Sequence, residues 1–328
     1  MTTSLSYVAV RDDKAVRSLS VNEREFLRSC AHAPTIRRLD GRRGDEIRKV
    51  RMKLGIWDNG AECTVQWGVG TRVTALCTAE LVPPSPDRPN AGIMNFTVDL
   101  SPMAGTAFRQ APAVGTAPIG STPTSRGPNF ADKAQRLLSN RILRSIERVV
   151  LLGGALDFEA LVLVPGSWVW RVTVALTVMD DGGNILDACI MAAMATLRHY
   201  RKPQVDVGKN VDDQQDIATP ALPTLIPTAI KEPAPLPLHH TPLSISFALI
   251  PSNDNEPLSN VATLVDPEKR EELVQFGALT VAMNTHMVRF FLMCSVMPLL
   301  PLTNLFSEPC RRSVCLTMLA DMNCLLTN

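Results

Sequence analysis

Net charge is almost absent from this 328-residue sequence: 33 Lys and Arg stand against 32 Asp and Glu, a formal +1. By itself that balance gives no pointer to a nucleic-acid partner. Among the eight cysteines there is no Cys-x-x-Cys pair. The nearest two, Cys310 and Cys315, have no histidine cluster beside them, which argues against a zinc site. The opening residues, MTTSLSYVAVRDDKAVRS, break into charges too early for the apolar core of a secretory signal. Scattered cysteines without such a signal point to reduced thiols in the cytosol or nucleus. A membrane span is not expected either. Residues 288–306 approach the ~20 apolar residues required, but Pro298 and Pro301 would break that helix. A nucleotide loop is missing, since Gly153-Gly154 is too short to be one. With 45% hydrophobic and 20% charged residues, the chain is neither collagen-like nor mainly disordered. Its length allows one sizeable core or two modest ones.

The total conceals an uneven distribution. Residues 1–150 hold 22 basic and 14 acidic side chains, and residues 151–328 hold 11 and 18, a net +8 against a net −7. Such asymmetry either marks a nucleic-acid surface on the basic half or reflects two solvated surfaces that differ by chance.

Residues 1–17 show no period and are expected to be mobile. Ser20-Val-Asn-Glu23 reads as a capping box. It predicts a helix over 21–30 with Phe26 and Leu27 inward. A basic run at 37–43, with a turn at Asp40-Gly41, precedes a strand with Val50, Met52 and Leu54 on one face and Arg51 and Lys53 on the other. Strands are predicted over 61–67 and 72–82, joined by the hairpin Gly68-Val-Gly-Thr71, and over 93–100. Residues 102–128 read as a Pro- and Gly-rich loop. A helix over 132–150 sets Leu137, Leu138, Ile142, Ile146 and Val149 at helical spacing, with Arg136, Arg141, Arg144 and Arg148 on other faces. Next come strands over 159–164 and 168–178, a turn at Asp180-Asp-Gly-Gly-Asn184, and an Ala- and Met-rich helix over 185–200. A flexible spacer over 202–238 leads to strands over 243–250, 262–266 and 278–283, with Asp266-Pro267 as a turn. This order predicts α+β or α/β layers around a mixed sheet. From residue 287 the tail is apolar and matches no element pattern.

Several motifs, weak singly but ordered, resemble one family. They are Arg38-Leu-Asp-Gly-Arg42 before a strand, Gly70-Thr-Arg-Val73, Glu80-Leu-Val82, Leu156-Asp-Phe-Glu-Ala-Leu161 and Trp168-Val-Trp-Arg171. Asp181-Gly-Gly-Asn-Ile-Leu-Asp-Ala188, Pro237-Leu-His-His-Thr-Pro242 and Leu264-Val-Asp-Pro-Glu268 complete the set. Together they resemble the RNase PH-like ring subunits of the RNA exosome, in the branch that includes the polymyositis/scleroderma autoantigen subunit. The resemblance covers residues 18–286 and implies an α+β RNase PH-like fold of mixed sheets packed with helices. It leaves about 110–128 and 203–238 as Pro-rich insertions and 287–328 as an atypical tail, where the family continues into a further strand and a terminal helix.

Active members of this fold attack an RNA 3′ end with phosphate, which needs a cation cradle and an acid for the leaving oxygen. The resemblance places that acid in the turn before the Ala-rich helix. Anchored on Asp187-Ala188, the position falls on Gly182; anchored on the Asp-Gly step, it falls on Asp181. As ordinary turn residues, Asp180 and Asp181 would simply be solvated. No phosphate loop is evident near 129–131 or 153–154. The resemblance thus implies a subunit without catalytic residues that serves ring assembly and the RNA channel, with Asp181 as the acid in the alternative of an active phosphorolytic exoribonuclease. It implies no cofactor, inorganic phosphate entering only under that alternative, and no metal, His239 and His240 lacking further ligands. Its partners would be RNA, other RNase PH-like ring subunits and cap subunits, in a hetero-oligomer of nucleus, nucleolus and cytoplasm, away from membranes. The helix motif Ser139-Asn-Arg-Ile-Leu-Arg144 matches the family helix facing the RNA path, which makes Arg141 and then Arg136 candidates for RNA contact. Arg109 and Arg126 flank the first insertion, and the Arg38–Arg43 run, with the arginine-bearing helix, is where the family places RNA and subunit contacts. The plainer reading of the helix positions is an exposed arginine or an ion pair with Glu147 or Asp132. Trp67, Trp168 and Trp170 read as packing residues before base-stacking ones.

Overall fold

A computed structural model describes residues 19–33, 37–57, 60–105, 108, 130–207, 223–227, 230–252, 261–284 and 290–294, the side chains of 130–134 and 290–294 excepted. The first helix, α1 (Val21–His32), begins at the capping box. Ser20 Oγ accepts the Glu23 amide at 3.1 Å, and Glu23 Oε2 accepts the Ser20 amide at 3.0 Å. Leu27 and Ala31, one turn apart, are buried, whereas Phe26 is 56% exposed. Phe26 lies a hundred degrees round the helix from Leu27, off the stripe that meets the second sheet, so the inward placement expected for it is corrected.

Six strands form the first sheet. Along it run β1 (Val50–Trp57), β2 (Gly60–Trp67), β3 (Thr71–Val82), β6 (Trp168–Asp180) and β4 (Ile93–Leu100), and β5 (Val162–Val164) pairs with β6. All neighbours are antiparallel except β4 and β6. Alternation holds through β2 and β3, where Cys63, Val65, Trp67, Val73, Ala75 and Cys77 are buried. In β1 it holds only at the start: Val50 and Met52 are half-buried, but Leu54 is exposed. Residues 159–164 are not one strand. Asp157 Oδ1 accepts the amides of Glu159 (3.0 Å) and Ala160 (3.3 Å), and this local capping winds Glu159–Leu161 into a 3₁₀ turn before β5 begins.

Helix α2 (Phe130–Glu147) runs on into a π-helical turn at Arg148–Leu152. Helix α3 (Ile185–His199) is apolar on every side and lies almost wholly buried. It packs on β2, β3 and β6 of the first sheet and on β11 (Pro242–Pro251) of the second. That second sheet has the order β12 (Val261–Val265), β11 (Pro242–Pro251), β13 (Gly277–Asn284), β14 (Phe290–Cys294), all antiparallel. Its last strand lies in what the sequence presents as an atypical tail. Asp187 ties α3 to β11: its carboxylate accepts Ser244 Oγ at 2.6 Å, the Ser246 amide at 2.7 Å and Ser246 Oγ at 3.0 Å. The expected 202–238 spacer is partly ordered. Arg201–Lys202 (β7) pairs with Ala234–Pro235 (β10), and Val205–Val207 (β8) with Pro223–Leu225 (β9). Among the described residues no helix is long and apolar enough to cross a membrane.

Candidate functional site

The acidic turn joins β6 to α3 and meets two other loops. Gly182 sits against Gly70 in the β2–β3 hairpin so closely that a Cβ on Gly182 would lie 2.6 Å from the Gly70 carbonyl carbon and 2.8 Å from its oxygen. Gly183, at φ +94, presses in the same way on the backbone of residues 267–269. The contacts are bonded as well as close. Lys269 N donates to Gly182 O at 3.0 Å, Thr71 Oγ1 to Gly183 O at 2.7 Å, and Arg48 to both carbonyls at 3.1 Å. No side chain fits at position 182, so a carboxylate could not stand there.

Asp180 is exposed, as a turn residue would be. Asp181 is not, and its reading as a solvated turn residue is corrected: its side chain is 2% exposed and ion-paired with Lys269. One Asp181 oxygen also accepts the Gly183 amide at 3.2 Å. The Lys269 ammonium lies 5.9 Å from the Phe108 ring centroid, within cation–π range. Beside this pair, Glu272 Oε1 accepts the Asn184 amide at 2.6 Å. Desolvation pushes the Glu272 carboxyl up to about 7; Asp181 adds to the shift, while Lys269, the Asn184 amide and Arg48 oppose it.

Behind the turn lies a buried ionic junction. Arg48 surrounds Asp266 with its backbone amide and Nε, both 2.9 Å from Oδ2, and with Nη2 at 2.7 Å from Oδ1. Asn184 Nδ2 adds 2.8 Å and Arg42 Nη1 adds 3.2 Å. Burial raises the Asp266 carboxyl, but the Arg48 hydrogen bonds and charge outweigh it and hold the group below its ordinary value. Arg38 pairs with Glu271 and donates to the carbonyls of Val265 (2.6 Å) and Asp266 (2.7 Å). Within the 37–43 run, then, Arg38 and Arg42 turn inward as structural fasteners, and Arg43 pairs with Glu46 at the surface. The reading of the run as an RNA or subunit surface is corrected accordingly for Arg38 and Arg42.

Several partners in this junction escape the sequence reading. Glu271, Glu272 and Lys269 lie on a short helix, α4 (Lys269–Val274), in a stretch between the Asp266-Pro267 turn and the next strand to which the sequence pattern assigns no element. A signal was present: Glu268 and Glu271 stand three apart after Asp266-Pro267, and they form a reciprocal capping box.

Arg136 and Arg141 are exposed on α2, as is Arg144, with Arg148 exposed on the following turn. Ile142, Ile146 and Val149 face the core. Neither Arg136 nor Arg141 has an ion-pair partner among the described residues. The candidates Arg109 and Arg126 lie outside the described residues. Trp67 and Trp170 are buried in the core, which removes them as base-stacking platforms. Among the described residues no group of three or more His, Cys, Asp and Glu side chains is placed to hold a metal.

The model of the 3′ exoribonuclease family, domain 1 (RNase PH), matches residues 46–203. Exosome complex component RRP45 of Danio rerio is 34% identical over 251 residues, 76% of this chain and 53% of that protein. Exosome complex component RRP45A of Arabidopsis thaliana is 31% identical over 268 residues, 82% of this chain and 74% of that protein. The chain thus spans about half the length of the fish relative and about three quarters of the plant one. A chain of the Archaeoglobus fulgidus exosome with RNA bound to the active site has the same fold, with a TM-score of 0.62 at 24% identity over 91% of this chain and 96% of that one. The chain belongs to the RNase PH-like RRP45 family of exosome components.

Proposed function

We propose that this chain is a non-catalytic RNase PH-like subunit of the RNA exosome core ring, serving assembly and the RNA channel in 3′–5′ RNA processing and decay. One observation carries the non-catalytic part: the carboxylate at the candidate acid position, Asp181, is buried and committed to Lys269. At the neighbouring position of the turn, Gly182 leaves no room for a side chain. A general acid must reach the oxygen it protonates, and Asp181 is held in a structural ion pair. The exposed arginines of α2, Arg141 with Arg136, suit sequence-independent contact with RNA phosphates; Arg109 and Arg126 are proposed to add to that path. The partners are other RNase PH-like ring subunits, cap subunits and RNA, in the nucleus, nucleolus and cytoplasm. The reading calls for no cofactor and no metal. Inorganic phosphate would enter as a co-substrate only if Asp181 were a phosphorolytic acid.

Reconstitution tests both parts. Expressed with the other ring subunits, the chain should enter the assembly, and RNA threaded through that assembly should be protected from nuclease. Phosphate-dependent release of nucleoside diphosphates by the assembly should be unchanged by Asp181→Ala. A chain that stays monomeric in the mixture ends the reading, and loss of release on Asp181→Ala replaces it with the phosphorolytic one.

A further inference from the structure

Strand β1 stands at one end of the first sheet's order, and no described strand pairs with its outer side. Alternate residues of Val50–Trp57 bond to β2, and the others therefore present a row of backbone donors and acceptors there. The two faces of the strand differ. Met52, Leu54 and Ile56 stand opposite Val65, Cys63 and Ala61, so they continue the sheet's core face. The core runs out beneath them, leaving Leu54 54% and Ile56 80% exposed. Trp57 ends the strand at 65% exposed, with its indole N–H donating to Glu62 Oε2 at 2.9 Å. The other face carries Arg51 and Lys53, both exposed, opposite Gln66 and Thr64. No carboxylate stands directly across from either cation.

We infer that the outer edge of β1 accepts an added strand from a different protein chain, one whose side chains alternate carboxylate and apolar. Its carboxylates meet Arg51 and Lys53, its apolar side chains extend the core face beside Leu54 and Ile56, and its backbone completes the open ladder. A second copy of this chain is a poor occupant in the registers that align its cations, because parallel in-register pairing, or antiparallel pairing about Met52, sets cation against cation at Arg51 and Lys53, and like charges across a ladder are destabilising. The source of the strand, another RNase PH-like ring subunit, rests on the ring membership proposed above.

Hydrogen–deuterium exchange of the full chain, alone and assembled with the other RNase PH-like ring subunits of its source organism, tests the inference. The outward-facing β1 amides, those not bonded to β2, should exchange fast in the isolated chain and become protected on assembly. The double variant Arg51→Glu, Lys53→Glu, with its β2 and β3 amides still protected, should assemble about tenfold more weakly, the effect of reversing two cross-strand pairs. Protection of those outward-facing amides in the isolated monomer would overturn the inference, since the edge would be covered by this chain's own residues. So would a β1-protected homodimer. Assembly with the β1 amides still fast overturns the inference and leaves ring membership standing, whereas failure to assemble at all overturns both.

Discussion

Arg38 and Arg48 are buried, with Nε, Nη1 and Nη2 of each turned toward an acceptor, whereas Arg136 and Arg141 stand exposed on α2 with no described ion-pair partner. All four come from the basic first half of the chain. The partners of the buried pair, Asp266 and Glu271, come from the acidic second half. The asymmetry between halves is therefore neither a nucleic-acid surface as a whole nor two unrelated solvated faces. Part of it is consumed in fastening the first sheet to the second, and the remainder on α2 is open to an anionic partner. A guanidinium fits both uses, because its rigid fork can saturate a buried carboxylate or grip a phosphate.

The comparison breaks most decisively at Arg48. Arg48→Met leaves Asp266 buried with its principal cation gone, and removing one partner of a buried ion pair costs about 3–5 kcal/mol. Equilibrium denaturation should show that loss, against a change within about 0.5 kcal/mol for Arg141→Met on the exposed face. Equal small effects would mean that the junction does not hold the sheets together. Next in size is Gly182→Ala. Its methyl group would meet the Gly70 backbone at 2.6 Å, where neither partner is a movable side chain, so overpacking of about 1–3 kcal/mol is expected. An unchanged melting temperature would show that the hairpin and the acidic turn can part. They would then leave room for a carboxylate at that position.

Local chemistry made much of this architecture legible. The capping box at Ser20, the alternation through β2 and β3, and the leucine and isoleucine spacing of α2 each arise from neighbours in sequence. The misreadings have long-range causes. Phe26 and Leu54 follow the apolar pattern, yet whether core exists beneath them depends on elements hundreds of residues away or on another chain. The inward turn of Arg38 and Arg42 could not be read from a basic run, because their acidic partners are more than two hundred residues downstream. The same holds for Asp181: an Asp-Gly turn looks solvated until Lys269 is brought beside it by the second sheet.

The junction should also show itself through pH. Glu272, raised from 4.5 to about 7, binds a proton more tightly in the folded chain than in the unfolded one. Its contribution is therefore fully present below about 4.5 and is lost as pH rises to about 7. Asp266 behaves oppositely: held below its ordinary 3.8, it contributes above that value and loses the contribution as pH falls through its depressed folded pKa. Glu272→Gln keeps an acceptor for the Asn184 amide, and should flatten the stability profile between about 4.5 and 7 while leaving the loss in strong acid intact. A variant profile that still falls across that interval would assign the slope to another group.

The smallest effect on the fold, and the most telling about function, belongs to Arg141. Arg141→Glu replaces an exposed cation on a face whose opposite side, Ile142 and Ile146, is buried, so the unfolding free energy should move by no more than about 0.5 kcal/mol. In the assembled ring the same change should weaken RNA binding about equally for unrelated sequences, because phosphate contacts position a strand without reading it. The slope of log affinity against log salt should become shallower by about 0.7, the share of one lost phosphate contact on a single strand. Arg136→Glu should do the same if the strand follows the helix. Affinity and slope that remain those of the wild type at several salt concentrations would remove α2 from the RNA path and leave its arginines as solvated surface. The buried arginines of the junction would then be the only ones in the comparison with a defined physical role.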